Sequence, residues 1–371
     1  MSQRPPGWPA PVEKLEAARA LLTDLGRRRG RVIVAPHGDV DGLAAGALAI
    51  RALERIGAVP IVALPGKGEH VHTPAMRERL AAIGADGLVV LDMGSRAGPI
   101  VPGLPTIVVD HHDAREVPEG VVYVSGAGAE PVAPTALIAY VLLGAIAPLE
   151  DLGWLAWLGT AGDLGMAHPF GDELAAAAAA GHRKTHVQKA VSLANAARRA
   201  PRYRPEVALD VLLAASGPAD IARGTLPGVA ELAACRAEVQ AELARVARLP
   251  PRIAGNVALL RFSSPAQIHP LVATRWAPRL APRIVIAAND GYLPGRVNFA
   301  VRSASSVDLL AFLRGLGLGD VEGEFANGHP RATGGSVPPA EFDRLLRALG
   351  FTPTPPPAPP RPAPPPAHSR R

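Results

Sequence analysis

Acids and imidazoles gather at four places in this chain. His37, Asp39 and Asp41 alternate in HGDVDG (37–42), and Asp110, His111, His112 and Asp113 run consecutively. Single acids stand at Asp92 in LDMGS (91–95) and at Asp163 in GTAGDLG (159–165). Carboxylates brought this close raise one another's pKa and repel. A pair of divalent cations removes that repulsion, and mixed Asp/His ligation suits manganese, zinc or iron better than calcium. Two ions about 3.5–4 Å apart can bridge a hydroxide for attack on phosphorus. Each piece also has a plain structural reading. Asp39 and Asp41 alone read as caps of the helix starting at Gly42, Asp92 and Asp163 alone read as turn acids, and Asp110-His111-His112-Asp113 alone reads equally as a turn or a ligand set. Their common position decides between the readings.

That position follows from the elements around them. Apolar strands are expected at 31–36, 59–64, 87–92 and 106–110, separated by helices at 42–57 and 73–84. Buried β-branched strands alternating with helices predict an α/β fold with a parallel sheet, covered by helices on both faces. In such a sheet the carboxyl ends of the strands share one edge, where ligands bind. Three of the four strands end in the acids just named, so separate stretches deliver ligands to one place. Helices follow at 133–146, 154–162 and 175–180.

The polar, basic stretch 183–204 is expected to be an exposed helix linking two domains, a catalytic one over 1–190 and a substrate-binding one over 205–350. In the second, strands are expected at 207–215, 256–262, 283–288 and 297–303, with helices near 228–247, 306–315 and 339–349. That is a smaller α/β domain with a mixed sheet. The proline-rich tail, 352–371, cannot form a packed core and is expected to be disordered or polyproline II, open to a protein partner.

Composition narrows the classes. The 371 residues allow two domains. Aromatic residues make up only 4%, which argues against base-stacking platforms and long processive tracks. The single cysteine, Cys235, excludes an intrachain disulfide and fits a reducing cytoplasm. No secretory leader or membrane span is expected. The net charge is +6, but three of the arginines lie in the last twenty residues with no acid, so the body is only mildly basic. A polyanionic partner is allowed rather than demanded. No G-x-G-x-x-G follows the first strand, which argues against a dinucleotide-cofactor fold.

In order and spacing, HGDVDG, LDMGS, VVDHHDA (108–114) and GTAGDLG resemble the four motifs of the DHH phosphoesterase superfamily. That superfamily includes RecJ-like exonucleases, NrnA-type oligonucleotide and cyclic-dinucleotide phosphodiesterases, and family II pyrophosphatases. FANGHPRATGG (325–335) resembles the glycine-rich signature of the DHH-associated domain, which argues against a pyrophosphatase. The likeness spans about residues 30–340. It implies a DHH domain and two divalent ions, manganese first and magnesium as the alternative. His37 and Asp39 would hold the first ion. Asp41, His111 and Asp163 would hold the second, with Asp92 bridging. Asp110 would orient a ligand, and His112 would stand by the scissile phosphate. Arg302 in VNFAVRS, and Gly328 and His329 in the glycine-rich loop, would contact substrate phosphate. Apart from the resemblance, Lys67, His70 and His72 follow the second strand at the same sheet edge and read equally as contacts to a phosphate backbone or as a solvated loop. Asn327 stands where the family often has glycine, and asparagine tolerates positive φ. No OB-type stretch follows the second domain, so short substrates or a compact exonuclease are expected. The implied partner is single-stranded nucleic acid, a short oligonucleotide or a dinucleotide, cyclic or linear. A homodimer is compatible with this, and the reading from a different class is a non-catalytic nucleotide-binding scaffold.

Overall fold

A computed structural model describes residues 4, 7–114, 116–179 and 181–353. The tail beyond 353, and the expectation placed on it, lie outside the described residues. The chain divides into two compact units, Met1–Ala237 and Glu238–Arg371.

The first unit runs α1 (Val12–Arg27), β1 (Arg31–Pro36), α2 (Val40–Arg55), β2 (Val59–Val62), α3 (Pro74–Ala82), β3 (Gly87–Leu91), β4 (Thr106–Asp110) and β5 (Val121–Ser125). Then come α4 (Thr135–Gly144), α5 (Gly153–Leu164), α6 (Ala175–Ala179), α7 (Lys184–Arg199), α8 (Pro205–Ala214), α9 (Pro218–Arg223) and α10 (Val229–Val246), which crosses the boundary. The five strands form an all-parallel sheet in the order β2-β1-β3-β4-β5. Because side chains alternate along a strand, β1 feeds two cores. Val32 and Val34 pack with α1, α2, α4 and α5, while Ile33 and Ala35 pack with Met76 and Leu80 of α3. The chain leaves β1 outward to β2 and then returns across it to β3. Beside β1 the strand order therefore reverses, which opens a crevice at the carboxyl ends of β1 and β3.

The second unit contains β6 (Arg252–Ala254), β7 (Val257–Phe262), α11 (His269–Trp276), β8 (Ile284–Asn289), β9 (Val297–Ser303), α12 (Leu309–Arg314), β10 (Glu324–His329), β11 (Ala332–Val337) and α13 (Pro339–Ala348). Its six-stranded sheet has the order β10-β11-β9-β8-β7-β6 and is mixed, with only β7 and β8 parallel. Phe299, Phe342, Leu345 and Leu346 centre its core. Among the described residues no helix is long and apolar enough to cross a membrane.

Three expectations are corrected. The stretch 207–215 is not a strand but α8, burying Pro205, Ala208, Leu209, Val211 and Leu212 at helical spacing, with proline in its first turn. The stretch 183–204 is not an exposed link. Its α7 buries Val187, Ala190, Leu193, Ala194 and Ala197 inside the first unit, and the boundary between the units falls later, within α10. The glycine-rich segment 325–335 is not an open loop but the β10–β11 hairpin, with a register shift between Phe325 and Asn327. Its glycines serve close strand packing. A Cβ at Gly334 would lie 2.2 Å from the Phe299 carbonyl oxygen, and one at Gly335 would lie 2.3 Å from that of Glu324.

Candidate metal centre

His37 directly follows β1, and its N–H still donates to the Leu91 carbonyl of β3 at 2.9 Å. Helix α2 starts against it because residue 42 is glycine. A Cβ there would lie 2.6 Å from both Cβ and the carbonyl oxygen of His37. Asp39 is the N-cap of α2, and its Oδ1 accepts from Gly42 N–H at 3.2 Å. Its Oδ2 lies 3.0 Å from His37 Nδ1. The capping role and the site role therefore coexist, one on each oxygen.

Asp92 follows β3 with φ +65°, a left-handed backbone that non-glycine residues seldom adopt and aspartate tolerates better than most. The side chain is almost fully buried at the crevice. Its Oδ2 lies 3.5 Å from His37 Nδ1, and its Oδ1 lies 3.3 Å from His111 Nε2 and 3.8 Å from His112 Nδ1. The two carboxylate oxygens thus face imidazoles from two different motifs.

Strand β4 ends in Asp110, fully buried. Its Oδ1 lies 2.8 Å from His112 Nδ1, which fixes that ring's orientation. The His111 and His112 rings meet edge to face, 4.5 Å between centroids. His111 Nε2 also lies 3.3 Å from Asp163 Oδ2. Asp163 lies in the last turn of α5, ahead of Gly165 at φ +75°. The glycines of GTAGDLG bring α5 onto α2. A Cβ at Gly159 would lie 2.6 Å from Asp41 Oδ1, and one at Gly162 would lie 2.0 Å from Val40 Cγ1. Asp41, in the first turn of α2, is anchored at the N-terminus of α4. Its Oδ2 accepts from Thr135 N–H at 2.8 Å and its Oδ1 from Ala136 N–H at 3.0 Å, where the helix dipole favours negative charge.

Charges in this cluster settle against one another. Burial disfavours the Asp92 carboxylate, but hydrogen bonds from His111 and His37 hold it well below the ordinary range. Burial and the neighbouring Asp92 and Asp163 push Asp41 well up. Asp163 rises to about 6, through burial and the charges of Asp92 and Asp39. Burial opposes the charged imidazoles, yet His111 beside Asp92 and His112 beside Asp110 are both drawn up to about 9. Asp39 draws His37 up to about 9 as well, with Arg198 pulling the other way.

The donor set fits divalent ions. His37, Asp39 and Asp92 can bring one ligand atom each within 4.8 Å of the others, as can Asp41, Asp92 and His111. Asp92, Asp110 and His112 form a third such group. Asp92 is common to all three. Asp110 Oδ2 is buried with no hydrogen-bond partner among the described residues, a costly state that added positive charge relieves. Mixed carboxylate and imidazole donors suit a transition-metal dication such as manganese, zinc or iron better than calcium.

The sequence-expected ligands His37, Asp39, Asp41, Asp92, His111 and Asp163 converge here, together with Asp110 and His112. Lys67 lies in the loop after β2, half-buried, with its pKa lowered by burial. The other expected contacts belong to the second unit. Arg302 on β9 donates to the carbonyls of Val301 and Thr333 at 2.9 and 3.1 Å. Gly328, at φ +110°, and His329 end β10. Three residues at the centre escaped sequence reasoning. Thr135 Oγ1 donates to Asp92 Oδ1 at 3.0 Å, and Asn195 Oδ1 accepts from Val40 N–H at 3.1 Å. Arg198 Nη1 lies 2.8 Å from His37 Nε2. Only Thr135 left a signal, a hydroxyl just after proline at a helix start.

The sequence matches no protein-family model and no curated protein. Solved structures do match. RecJ from Thermus thermophilus in complex with Mn2+ superposes with a TM-score of 0.67 at 23% identity, over 96% of this chain and 57% of that one. An exonuclease RecJ bound to manganese gives 0.61 at 22% identity, over 91% and 93%. The DHH domain of a protein from a family of ribosomal proteins gives 0.70 at 15% identity, over 91% and 90%. This chain has the DHH-superfamily fold. Within that DHH fold it spans little more than half the length of the Thermus RecJ, so the likeness concerns the shared architecture and not that protein's full activity.

Proposed function

We propose that this DHH-fold chain is a two-metal-dependent phosphodiesterase acting on single-stranded or short oligonucleotides in the cytoplasm. The observation that carries the reading is Asp92, whose two oxygens face His37 on one side and His111 on the other. His37 and Asp39 would hold one ion, Asp41, His111 and Asp163 the other, and Asp92 would serve both. When bound, two divalent ions supply Lewis acidity toward the phosphoryl oxygens and a hydroxide nucleophile at neutral pH. His112, turned by Asp110, donates to a non-bridging oxygen as charge develops there. Lys67, Arg302, Gly328 and His329 are the proposed contacts to the rest of the substrate.

Turnover of bis-p-nitrophenyl phosphate with Mn2+, abolished by EDTA and restored by Mn2+ or Mg2+, is the expected result. No turnover with either ion would favour the non-catalytic scaffold. A length series of 5′-labelled oligonucleotides, in DNA and RNA forms and with a cyclic dinucleotide included, then assigns the substrate. Preference for two to five nucleotides marks a nanoRNase-type enzyme, increasing activity with length marks a RecJ-like exonuclease, and cleavage of the ring alone marks a cyclic-dinucleotide phosphodiesterase.

A further inference from the structure

One short segment ahead of α1 touches three stretches that lead to the centre. Trp8 stacks on Phe170, with ring centroids 5.8 Å apart and planes 29° from parallel. Phe170 is fully buried in the loop that follows α5 and its Asp163. Arg4 closes over the pair, its guanidinium carbon 5.0 Å from the Trp8 ring centroid and 5.2 Å from that of Phe170. The same arginine donates from Nη2 to the Pro169 carbonyl and to Glu173 Oε2, both at 2.8 Å, and from Nε to Glu173 Oε1. On another edge Trp8 donates its indole N–H to the Pro131 carbonyl at 3.0 Å. Pro131 lies in the stretch that leads into α4 and Thr135. A Cβ on Gly126 would lie 3.1 Å from the Pro9 carbonyl oxygen, and Gly126 N–H donates to the Asp110 carbonyl at 2.9 Å.

Core packing alone does not ask for this arrangement, since the buried Ala10 already seats the segment in the core of the first unit. Arg4 and Trp8 grip loops instead. A guanidinium held over two aromatic faces and forked onto a carboxylate is a directional clamp. Loops are the more mobile parts of a fold, whereas a ligand set must be held to about 0.5 Å. Asp163 and Asp41 come from different helices, and Asp41 is anchored at the start of α4 by the N–H groups of Thr135 and Ala136. Trp8 joins the exit of α5 to the entry of α4, so it governs the spacing of these two carboxylates. His37 and Asp39 stand elsewhere, after β1. Among the described residues Arg4 and Trp8 make no hydrogen bond or ring contact with them.

We infer that Arg4 and Trp8 are positioning residues for one ion of the centre, the one proposed for Asp41, His111 and Asp163. They act through the loop after Asp163 and the stretch before Thr135, and they leave the His37–Asp39 side alone. The inference rests on the two-metal reading and deepens it, because the affinities of the two ions become separately adjustable.

The test is Mn2+ calorimetry on the full chain, with turnover of bis-p-nitrophenyl phosphate and urea unfolding measured alongside. Asp163→Asn marks which of the two binding events belongs to the Asp41–Asp163 ion. Trp8→Ala should weaken that event about 10–100-fold, the range for contacts that support metal ligands, and leave the other unchanged. Trp8→Phe keeps a stack on Phe170 and loses the bond to Pro131, so it should give a smaller loss at the same event, and it stands in if the alanine variant does not fold. Arg4→Gln should also weaken that event, and Arg4→Lys, which keeps the charge without the fork, should restore part of it. Equal weakening of both events shows a merely structural role and overturns the inference. A loss of urea stability with both affinities unchanged overturns it too, and leaves the hydrolytic reading intact where the wild-type chain turns over. Selective weakening in a chain that shows no turnover upholds the positioning role and sinks the hydrolytic reading instead.

Discussion

Thr135 Oγ1 donates a hydrogen bond to Asp92 Oδ1 at 3.0 Å, while the N–H of the same residue donates to Asp41 Oδ2 at 2.8 Å. One residue at the start of α4 therefore holds two of the proposed ligands. Thr135→Val removes the hydroxyl bond and keeps the N–H and the side-chain volume. A buried carboxylate that loses a donor should cost about 1–3 kcal/mol of stability, read by urea unfolding. Supporting contacts to metal ligands are typically worth about 10–100-fold in affinity or activity, so Mn2+ affinity by calorimetry should fall within that range. Thr135→Ser should restore both. Unchanged Mn2+ affinity in the valine variant would remove Thr135 from the centre.

Asp92 tests the centre directly. Its left-handed backbone is better tolerated by asparagine than by alanine. Asp92→Asn should therefore keep the fold, seen as an unchanged circular dichroism spectrum, and lose turnover at saturating Mn2+. Asp92→Ala should lose both turnover and stability. Turnover surviving in the asparagine variant would sink the assignment of Asp92 as the shared ligand.

The sequence made one part of this site legible and hid another, for a physical reason. Asp110 ends a strand of the parallel sheet and His37, Asp39, Asp92 and His111 follow strands of it, and strand ends in such a sheet are neighbours whatever the loops do. Topology alone brings them together. Arg198 and Thr135 reach the same place through helix packing, which leaves no period or spacing to read. Within α7, Arg198 looks like any residue of a basic surface, and contact with His37 is visible only in three dimensions. Local ambiguity explains the errors in secondary structure. The run at 207–215 is apolar enough for a buried strand or a buried helix, and its alanines and leucines settle it as α8. The β10–β11 hairpin reads as a loop because its glycines weaken any strand signal. They are required where Gly334 and Gly335 pass against neighbouring backbone.

Gly159 gives a prediction whose sign separates packing from propensity. Glycine-to-alanine changes inside helices usually gain about 0.5–1 kcal/mol. Here a Cβ would lie 2.4 Å from Ala136 Cβ and 2.6 Å from Asp41 Oδ1. Overpacking of that kind costs about 1–3 kcal/mol, so Gly159→Ala should destabilise the chain in urea and weaken Mn2+ binding through Asp41. Gly144, at the end of α4, is the control. A Cβ there meets nothing within 4 Å, so Gly144→Ala should have little effect on either measurement. A gain in stability from Gly159→Ala would mean that α5 does not approach α2 this closely.

The centre's protons make the stability of the metal-free chain depend on pH where that of the metal-loaded chain does not. His111 and His112 are drawn from 6.5 to about 9 by their carboxylate neighbours. A histidine with a raised folded pKa stabilises the fold fully below about 6.5, and that contribution is lost as pH rises through about 9. Asp163 is raised to about 6. The folded state therefore holds its proton more tightly than the unfolded chain does, so stability falls further as pH rises from about 4 to 6. Both effects share one sign. In EDTA, Tm should decline steadily from about pH 5 to pH 9. Metal ions supply the positive charge that those protons otherwise bring, and they bind only deprotonated ligands. In saturating Mn2+ the decline between pH 6.5 and 9 should vanish, and Mn2+ affinity by calorimetry should rise across that same window with proton release. A Tm in EDTA that climbs from pH 6.5 to 9 would show that the imidazoles are not held charged by Asp92 and Asp110.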